Sequence, residues 1–524
     1  MASPFDPTDL ERLNRLGISQ EEVARQMELL ARDSSSLCVD RPCTVGDGIL
    51  RISGEDALRY AAIQEAAAES GRFMKFVPAS GAATRMFRTL LAARDLYPGL
   101  HREDLLAEEA KNEPAAAGFM KFIRNIRRFA FCPDLEKILS GNGRSLESLD
   151  DPGGYMDAWA ALLGREGLDY GSMPKALLKF HRYNGHARTP FEEHLVEAAL
   201  TCGGGKGAIR LHFTVQPDHE PLFRDLFSRV GKQYESRHGA AFQVEFSHQK
   251  PSTDTIAVDP ENRPFRLDGG GLLFRPGGHG ALLENLNDLR GDLVYIKNID
   301  NVVPDHLKED TIFWKKVLGG LLVSVEEAAR GLIRDLRRGG DGAAGKAVAF
   351  IRGGLGLTPS PACLEGPAEA RARALLEWLD RPMRVCGMVK NTGEPGGGPF
   401  WVESANGAIT PQIVEGAQID ARDPGQKARF EASTHFNPVD LVCAVRDADD
   451  EPYDLKRFVD PEAVFISRKS KDGRDLKALE LPGLWNGSMA GWITLFVEVP
   501  ISTFSPVKTV FDLLRPEHQA EGRG

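Results

Sequence analysis

The sequence has no C-x-x-C pair, no apolar run long enough to cross a bilayer and no excess of basic charge. Each absence closes off a class. The seven cysteines (Cys38, Cys43, Cys132, Cys202, Cys363, Cys386 and Cys443) are odd in number and scattered. That argues against a zinc site and for reduced thiols in a cytoplasm. A membrane helix needs roughly 18 consecutive apolar residues, so no membrane partner is expected. The formal net charge is -10, whereas nucleic acid is bound through a basic face, and nucleic acid is not expected as a partner. The N-terminal stretch MASPFDPTDLERL carries acids and no apolar core, which makes a secretory signal unexpected. A cytoplasmic location is the expectation.

Hydrophobic residues make up 42% of the 524, enough to build a large core in one elaborated domain or a few smaller ones. Residues 1–70 read as an N-terminal helical region. GISQEEVARQMELLAR sets Val23, Met27 and Leu30 on one face behind a capping Ser19. From residue 71 to 515 strand-like and helix-like runs alternate: FMKFV, AIRLHFTV before PLFRDLFSRVGKQYESR, AFQVEFSHQ, and LLENLNDL before DLVYIKNID. This alternation predicts an α/β domain with a mixed, mostly parallel, Rossmann-like sheet. Helical patterns at about 88–170 and 312–380 read as insertions, and residues 516–524 as a disordered tail. GDGAAGKA at 340–347 imitates a P-loop, but Ala347 stands where a Ser or Thr is needed, so it reads as a turn.

The sharpest local signal is KFVPASGAATRMF, residues 75–87. It reads as a strand, a loop of small residues, and a helix opening near Thr84. Unpaired N–H groups in such a loop can cradle an anion, and Ser80, Gly81, Ala82 and Ala83 are small enough for phosphate to approach. Arg85 adds a fixed charged fork. A plain connecting turn with a solvated arginine is the alternative on these residues alone.

The stretch resembles the nucleotide-binding signature of the nucleotide-diphospho-sugar pyrophosphorylases, approximately L-A-G-G-x-G-T-R. Ala79, Gly81, Thr84 and Arg85 match, and Ser80 and Ala83 replace glycines. Further blocks are similar in the same order. MPKALLKF carries Lys175, and TPFEEHLVEAA follows it. FSHQKP carries Gln249, RPGGHGALLENL carries Gly278, His279 and Gly280, and the strand after it ends Asn298-Ile299-Asp300-Asn301. PQIVEGAQID carries Glu415, STHFNPVDL carries Asn437, and VEVPISTFSPVKTVFDLL carries Lys508, with Thr503 in place of an arginine.

The resemblance, to the UDP-sugar and UDP-N-acetylhexosamine enzymes above all and to an uncharacterised bacterial branch of them, implies a GT-A type fold and a nucleotidyltransferase. Its substrates would be a nucleoside triphosphate and a sugar 1-phosphate or similar phosphorylated metabolite. Arg85, Lys175 and Lys508 would act on the phosphates, and Asp300 would hold Mg²⁺. Residues 79–82, Thr84, Gln249 and 278–280 would bind nucleotide, and Asn298, Glu415 and Asn437 the acceptor. Two alternatives stay open: a non-catalytic nucleotide-binding regulator, favoured by Ser80, Ala83 and Thr503, and a glycosyltransferase on the same fold, which would want D-x-D where Asn298-Ile299-Asp300 stands.

Overall fold

The computed structural model describes residues 5–32, 37–205, 207–339, 342–394, 396–404, 407–420 and 422–520. The chain folds as two compact units, each assembled from three separate stretches: residues 1–76, 247–296 and 314–501, and residues 77–246, 297–313 and 502–524.

The first unit is organised by a mixed, mostly parallel sheet. Its strands run in the order Thr44–Val45, Gly48–Leu50, Ile493–Glu498, Met383–Lys390, Asp440–Ala444, Leu293–Lys297 and Phe73–Pro78. Met383–Lys390 lies parallel to Ile493–Glu498 and antiparallel to Asp440–Ala444, while Leu293–Lys297 lies parallel to Phe73–Pro78. All five residues of Leu293–Lys297 and of Asp440–Ala444 are buried, as expected of strands covered on both faces. Residues 1–70 contain the helices Pro7–Leu16, Gln20–Ala31 and Gly54–Glu69, and also the strands Cys38–Pro42, Thr44–Val45 and Gly48–Leu50. Ser19 caps the second helix by accepting the Glu22 N–H. The first two helices bury Leu13, Val23, Leu29 and Leu30 against Ile256, Val258 and Leu479. These apolar residues come from Thr255–Val258 and Arg474–Glu480, neighbours in a small antiparallel sheet.

The second unit carries the strands Ile209–Thr214 and Phe242–Ser247 and the helices Pro190–Cys202 and Glu220–His238. Residues 88–163 are helical in the segments Arg88–Leu96, Arg102–Ala110, Pro114–Arg124, Cys132–Gly141 and Gly154–Leu163. They close on a core of Phe87, Phe119, Phe122, Phe129, Phe131 and Tyr170, in which the Phe129 and Phe131 rings stack at 4.9 Å. Val507, Val510 and Leu513 enter the same core, so apolar burial fixes the segment that carries Lys508.

The tail differs from the expectation of disorder. Pro516–His518 forms a 3-10 turn, His518 is 3% exposed, and its ring stacks on His181 and shares a hydrogen bond of 3.0 Å with it. A buried aromatic contact and a ring hydrogen bond are enough to order a short tail, which the composition of the segment does not show. Residues 521–524 lie outside the described residues, as do 340 and 341 of the P-loop-like stretch; from Ala343 that stretch is not the expected turn but enters the helix Ala343–Ala349, which buries Ala343 and Ala347. Among the described residues no helix is long and apolar enough to cross a membrane.

Candidate functional site

The strand Phe73–Pro78 ends in the small-residue loop, and a 3-10 turn, Ala83–Arg85, follows before the helix Arg88–Leu96. The expected helix therefore opens one turn later than Thr84. Ala79 donates its N–H to the Thr214 carbonyl at 2.9 Å, and Ala83 donates to Met173 at 3.1 Å. Between them the N–H groups of Ser80, Gly81 and Ala82 meet no acceptor among the described residues. None of residues 79–85 has a positive φ. Ala83, which replaces a glycine of the signature, sits fully buried in ordinary backbone, so the substitution carries no strain.

The helical segments between loop and lysine are looped out. Ala82 bridges Pro174, Lys175 donates its N–H to Gly81 at 3.2 Å, and the Thr84 hydroxyl donates to Gly171 at 3.0 Å. Residues nearly a hundred apart thereby lie side by side.

Lys175 Nζ donates to Asp300 Oδ2 at 2.9 Å and to the Val507 carbonyl at 2.8 Å. Lys508 Nζ reaches the same carboxylate, at 3.1 Å from Oδ2 and 3.4 Å from Oδ1. The Lys175 and Asp300 side chains are 14% and 10% exposed, whereas that of Lys508 is 60% exposed. Burial pushes the Asp300 carboxyl up, and the two ammonium groups outweigh it, so its pKa lies below the ordinary 3.8.

Three residues without a role in the sequence reading hold this triangle. Asn301 accepts the Ser505 N–H at 2.9 Å and donates to the Thr503 carbonyl, while Val507 donates to the Asp300 carbonyl at 3.1 Å. Asp512 accepts the N–H groups of Lys508 and Thr509, at 2.8 and 2.6 Å. The His194 ring is hydrogen-bonded to the Ile299 carbonyl at 3.2 Å. The signals were present, in N-x-D-N, P-V-K-x-x-x-D and the E-H helix, but spacing alone does not say which polar residue faces ligand and which faces backbone.

Arg85 is exposed and has no hydrogen bond or ion pair among the described residues; no direct contact joins it to the triangle. Asn298 is half-buried, with its carbonyl accepting the Asn301 N–H.

The other named residues belong to the first unit. Gly278 has φ 73°, and a Cβ there would lie 2.6 Å from the Glu480 carboxylate; a Cβ at Gly280 would lie 2.2 Å from the Pro482 carbonyl. Both positions demand glycine for fit. His279 stacks on Trp485 at 4.3 Å, and its Nδ1 accepts the Leu484 N–H at 3.0 Å. Burial lowers its pKa to about 4, so the ring is neutral at neutral pH. Glu415 caps the turn Gly416–Gln418. Burial pushes its carboxyl up against a hydrogen bond from Asn486, and Glu480 adds to the rise. Asn437 is 6% exposed and accepts the Val439 N–H at 3.0 Å. It thereby supports Val439, a β-branched residue at φ 56°. Gln249 lies half-buried in the loop after Phe242–Ser247.

No group of three or more His, Cys, Asp or Glu side chains disposed for a metal occurs among the described residues. Asp300 offers a single hard carboxylate, which suits Mg²⁺ only when phosphate oxygens supply further ligands.

The chain belongs to the family described as Domain of unknown function (DUF4301), whose model matches residues 6–519. No curated protein matches it in sequence. Among solved structures it is similar to the uridine diphosphate N-acetylglucosamine pyrophosphorylase from Trypanosoma brucei, crystallised with an inhibitor. That match has 13% identity and a TM-score of 0.47, and covers 97% of this chain and 74% of the other. A mutant UDP-glucose pyrophosphorylase from Leishmania major in complex with UDP-glucose matches at 12% identity and TM-score 0.43, covering 98% and 78%. A second mutant of that enzyme matches at 11% identity and TM-score 0.45 with the same coverage.

Proposed function

We propose that this chain is a nucleotidyltransferase, joining a nucleoside triphosphate to a phosphorylated small molecule with release of pyrophosphate. One observation carries the reading. Two ammonium groups converge on one carboxylate, beside a loop with free N–H groups, in a chain whose net charge is -10. The surplus local positive charge is what a polyphosphate requires and what the rest of the composition opposes.

In the reaction a phosphate oxygen of the acceptor attacks the α-phosphorus. The bond from that phosphorus to the oxygen bridging to the β-phosphate breaks, and pyrophosphate leaves with the electron pair. The attacking oxygen is already ionised at neutral pH, so no general base is needed. What the protein must supply is charge neutralisation and alignment. Lys175, anchored on both Asp300 and Val507, gives a fixed charge. Lys508, largely exposed, gives one that can follow the substrate. The N–H groups of Ser80, Gly81 and Ala82 receive phosphate oxygens, and Arg85 receives the leaving group. Mg²⁺, when bound with the triphosphate, would be held on the protein side by Asp300 and would neutralise further phosphate charge.

Thermal denaturation with each of the four nucleoside triphosphates tests the reading. At least one should raise the melting temperature of the wild type and much less that of Lys508→Ala. If none moves either protein, the proposal fails.

A further inference from the structure

Asp300 has been given the role of a metal ligand, yet both of its oxygens meet ammonium groups. Oδ2 takes Lys175 at 2.9 Å and Lys508 at 3.1 Å, and Oδ1 faces Lys508 at 3.4 Å. We propose that Asp300 is an internal counter-ion, standing in for a substrate phosphate and handing Lys508 over when one arrives. The inference rests on the phosphate-handling role of the two lysines proposed above.

Two ammonium groups brought this close repel one another unless an anion lies between them. A carboxylate fixed in the fold does this, and an ammonium pair around one anion is the arrangement a bound phosphate oxygen would also make. The two lysines are not equivalent in it. Lys175 is 14% exposed and has a second anchor in the Val507 carbonyl. Lys508 is 60% exposed, and no side-chain acceptor other than Asp300 holds it among the described residues. Its backbone is fixed by Asp512, so the side chain alone is free to turn. The frame around the carboxylate is equally fixed: Asn301 ties Thr503 and Ser505, and Val507 ties the Asp300 carbonyl. Exchange of partners at Lys508 therefore needs no backbone movement. A phosphate competes with Asp300 for this ammonium, and the carboxylate is released from one of its two cations.

An anion competitor has a distinctive signature. Its removal tightens phosphate binding, whereas removal of a metal ligand leaves metal-free binding unchanged. Isothermal titration with inorganic pyrophosphate, in chelator and without metal, reads this directly. Asp300→Asn should bind pyrophosphate roughly tenfold more tightly than the wild type, because one negative charge near the phosphate is gone. Lys508→Met should bind it more weakly than either. Equal or weaker binding by Asp300→Asn, with the wild type still binding, overturns the counter-ion role and leaves the nucleotidyl-transfer reading in place. No binding by any of the three overturns both.

Because Asp300→Asn leaves two partly buried ammonium groups without an anion, it can fail to fold, and a second measurement uses the wild type alone. Electron paramagnetic resonance with Mn²⁺ should show the ion free in solution without pyrophosphate and bound once pyrophosphate is added. Tight uptake of Mn²⁺ in its absence would mean that Asp300 is open to metal and would refute the proposal.

Discussion

The two lysines on Asp300 should separate folding from function when each is replaced by methionine, which keeps the aliphatic stem and removes the charge. Lys175 is 14% exposed and bonds both Asp300 and Val507. Breaking a buried ion pair costs about 3–5 kcal/mol. Here Lys508 remains on the carboxylate at 3.1 Å and offsets part of that, so Lys175→Met should lose about 2–3 kcal/mol of stability. Lys508 is 60% exposed, and an exposed pair contributes about 0–1 kcal/mol. Lys508→Met should therefore unfold in urea at nearly the wild-type midpoint. Pyrophosphate affinity should respond differently. A charge-assisted hydrogen bond to phosphate is worth about 1.5–3 kcal/mol, so Lys508→Met should bind roughly 10- to 150-fold more weakly. The assays are urea denaturation followed by fluorescence and titration calorimetry with pyrophosphate. The reasoning is refuted if Lys508→Met is destabilised as much as Lys175→Met, or if it keeps wild-type affinity for pyrophosphate.

Other expectations follow from single sites. Glu193 is fully buried against Lys308, Arg188 and His181; Glu193→Ala leaves Lys308 and Arg188 with only the half-buried Asp305 as a counter-charge and should cost about 3 kcal/mol, measured by thermal or urea unfolding. His279 has a pKa of about 4 when folded, against the ordinary 6.5. Between those values the unfolded chain binds more protons, so this residue's contribution is complete above pH 6.5 and is lost as the pH falls towards about 4. Its ring nitrogens should give a neutral nitrogen-15 signature at pH 6, and a charged signature there would contradict the burial argument. Asp512→Asn should weaken the turn that presents Lys508. It should lower pyrophosphate affinity with a loss of stability of about 1–2 kcal/mol, and an unchanged calorimetric isotherm would show that Asp512 does not position the lysine.

Much of the α/β pattern is legible in the sequence because burial leaves a periodic trace. LVYIK and LVCA are continuous apolar runs, and each is a strand buried along its whole length. The helices of residues 88–163 likewise show in their amphipathic spacing. The short strands at one end of the sheet left no such trace: Thr44–Val45 and Gly48–Leu50 are too brief for alternation to register. The division into two units was not legible either, because each is assembled from three distant stretches and contiguity in sequence says nothing about it. At the candidate site, the motifs singled out Lys175, Asp300 and Lys508 one by one, but the ion pairs that join them are not legible in sequence. The roles of Asn301, Asp512 and His194 were hidden, since a polar side chain that ties backbone looks the same in sequence as one that meets a ligand. His518 shows the same limit, a titratable residue in a polar tail that packs on His181.

If the two lysines serve nucleotidyl transfer, turnover depends on Lys508. This is tested most directly by measuring pyrophosphate release with Mg²⁺, crossing the four nucleoside triphosphates with a panel of sugar 1-phosphates and other phosphorylated metabolites. Release should need one particular pair and fall to background in Lys508→Ala. Release that persists undiminished in Lys508→Ala, or none from any pair, would contradict that role.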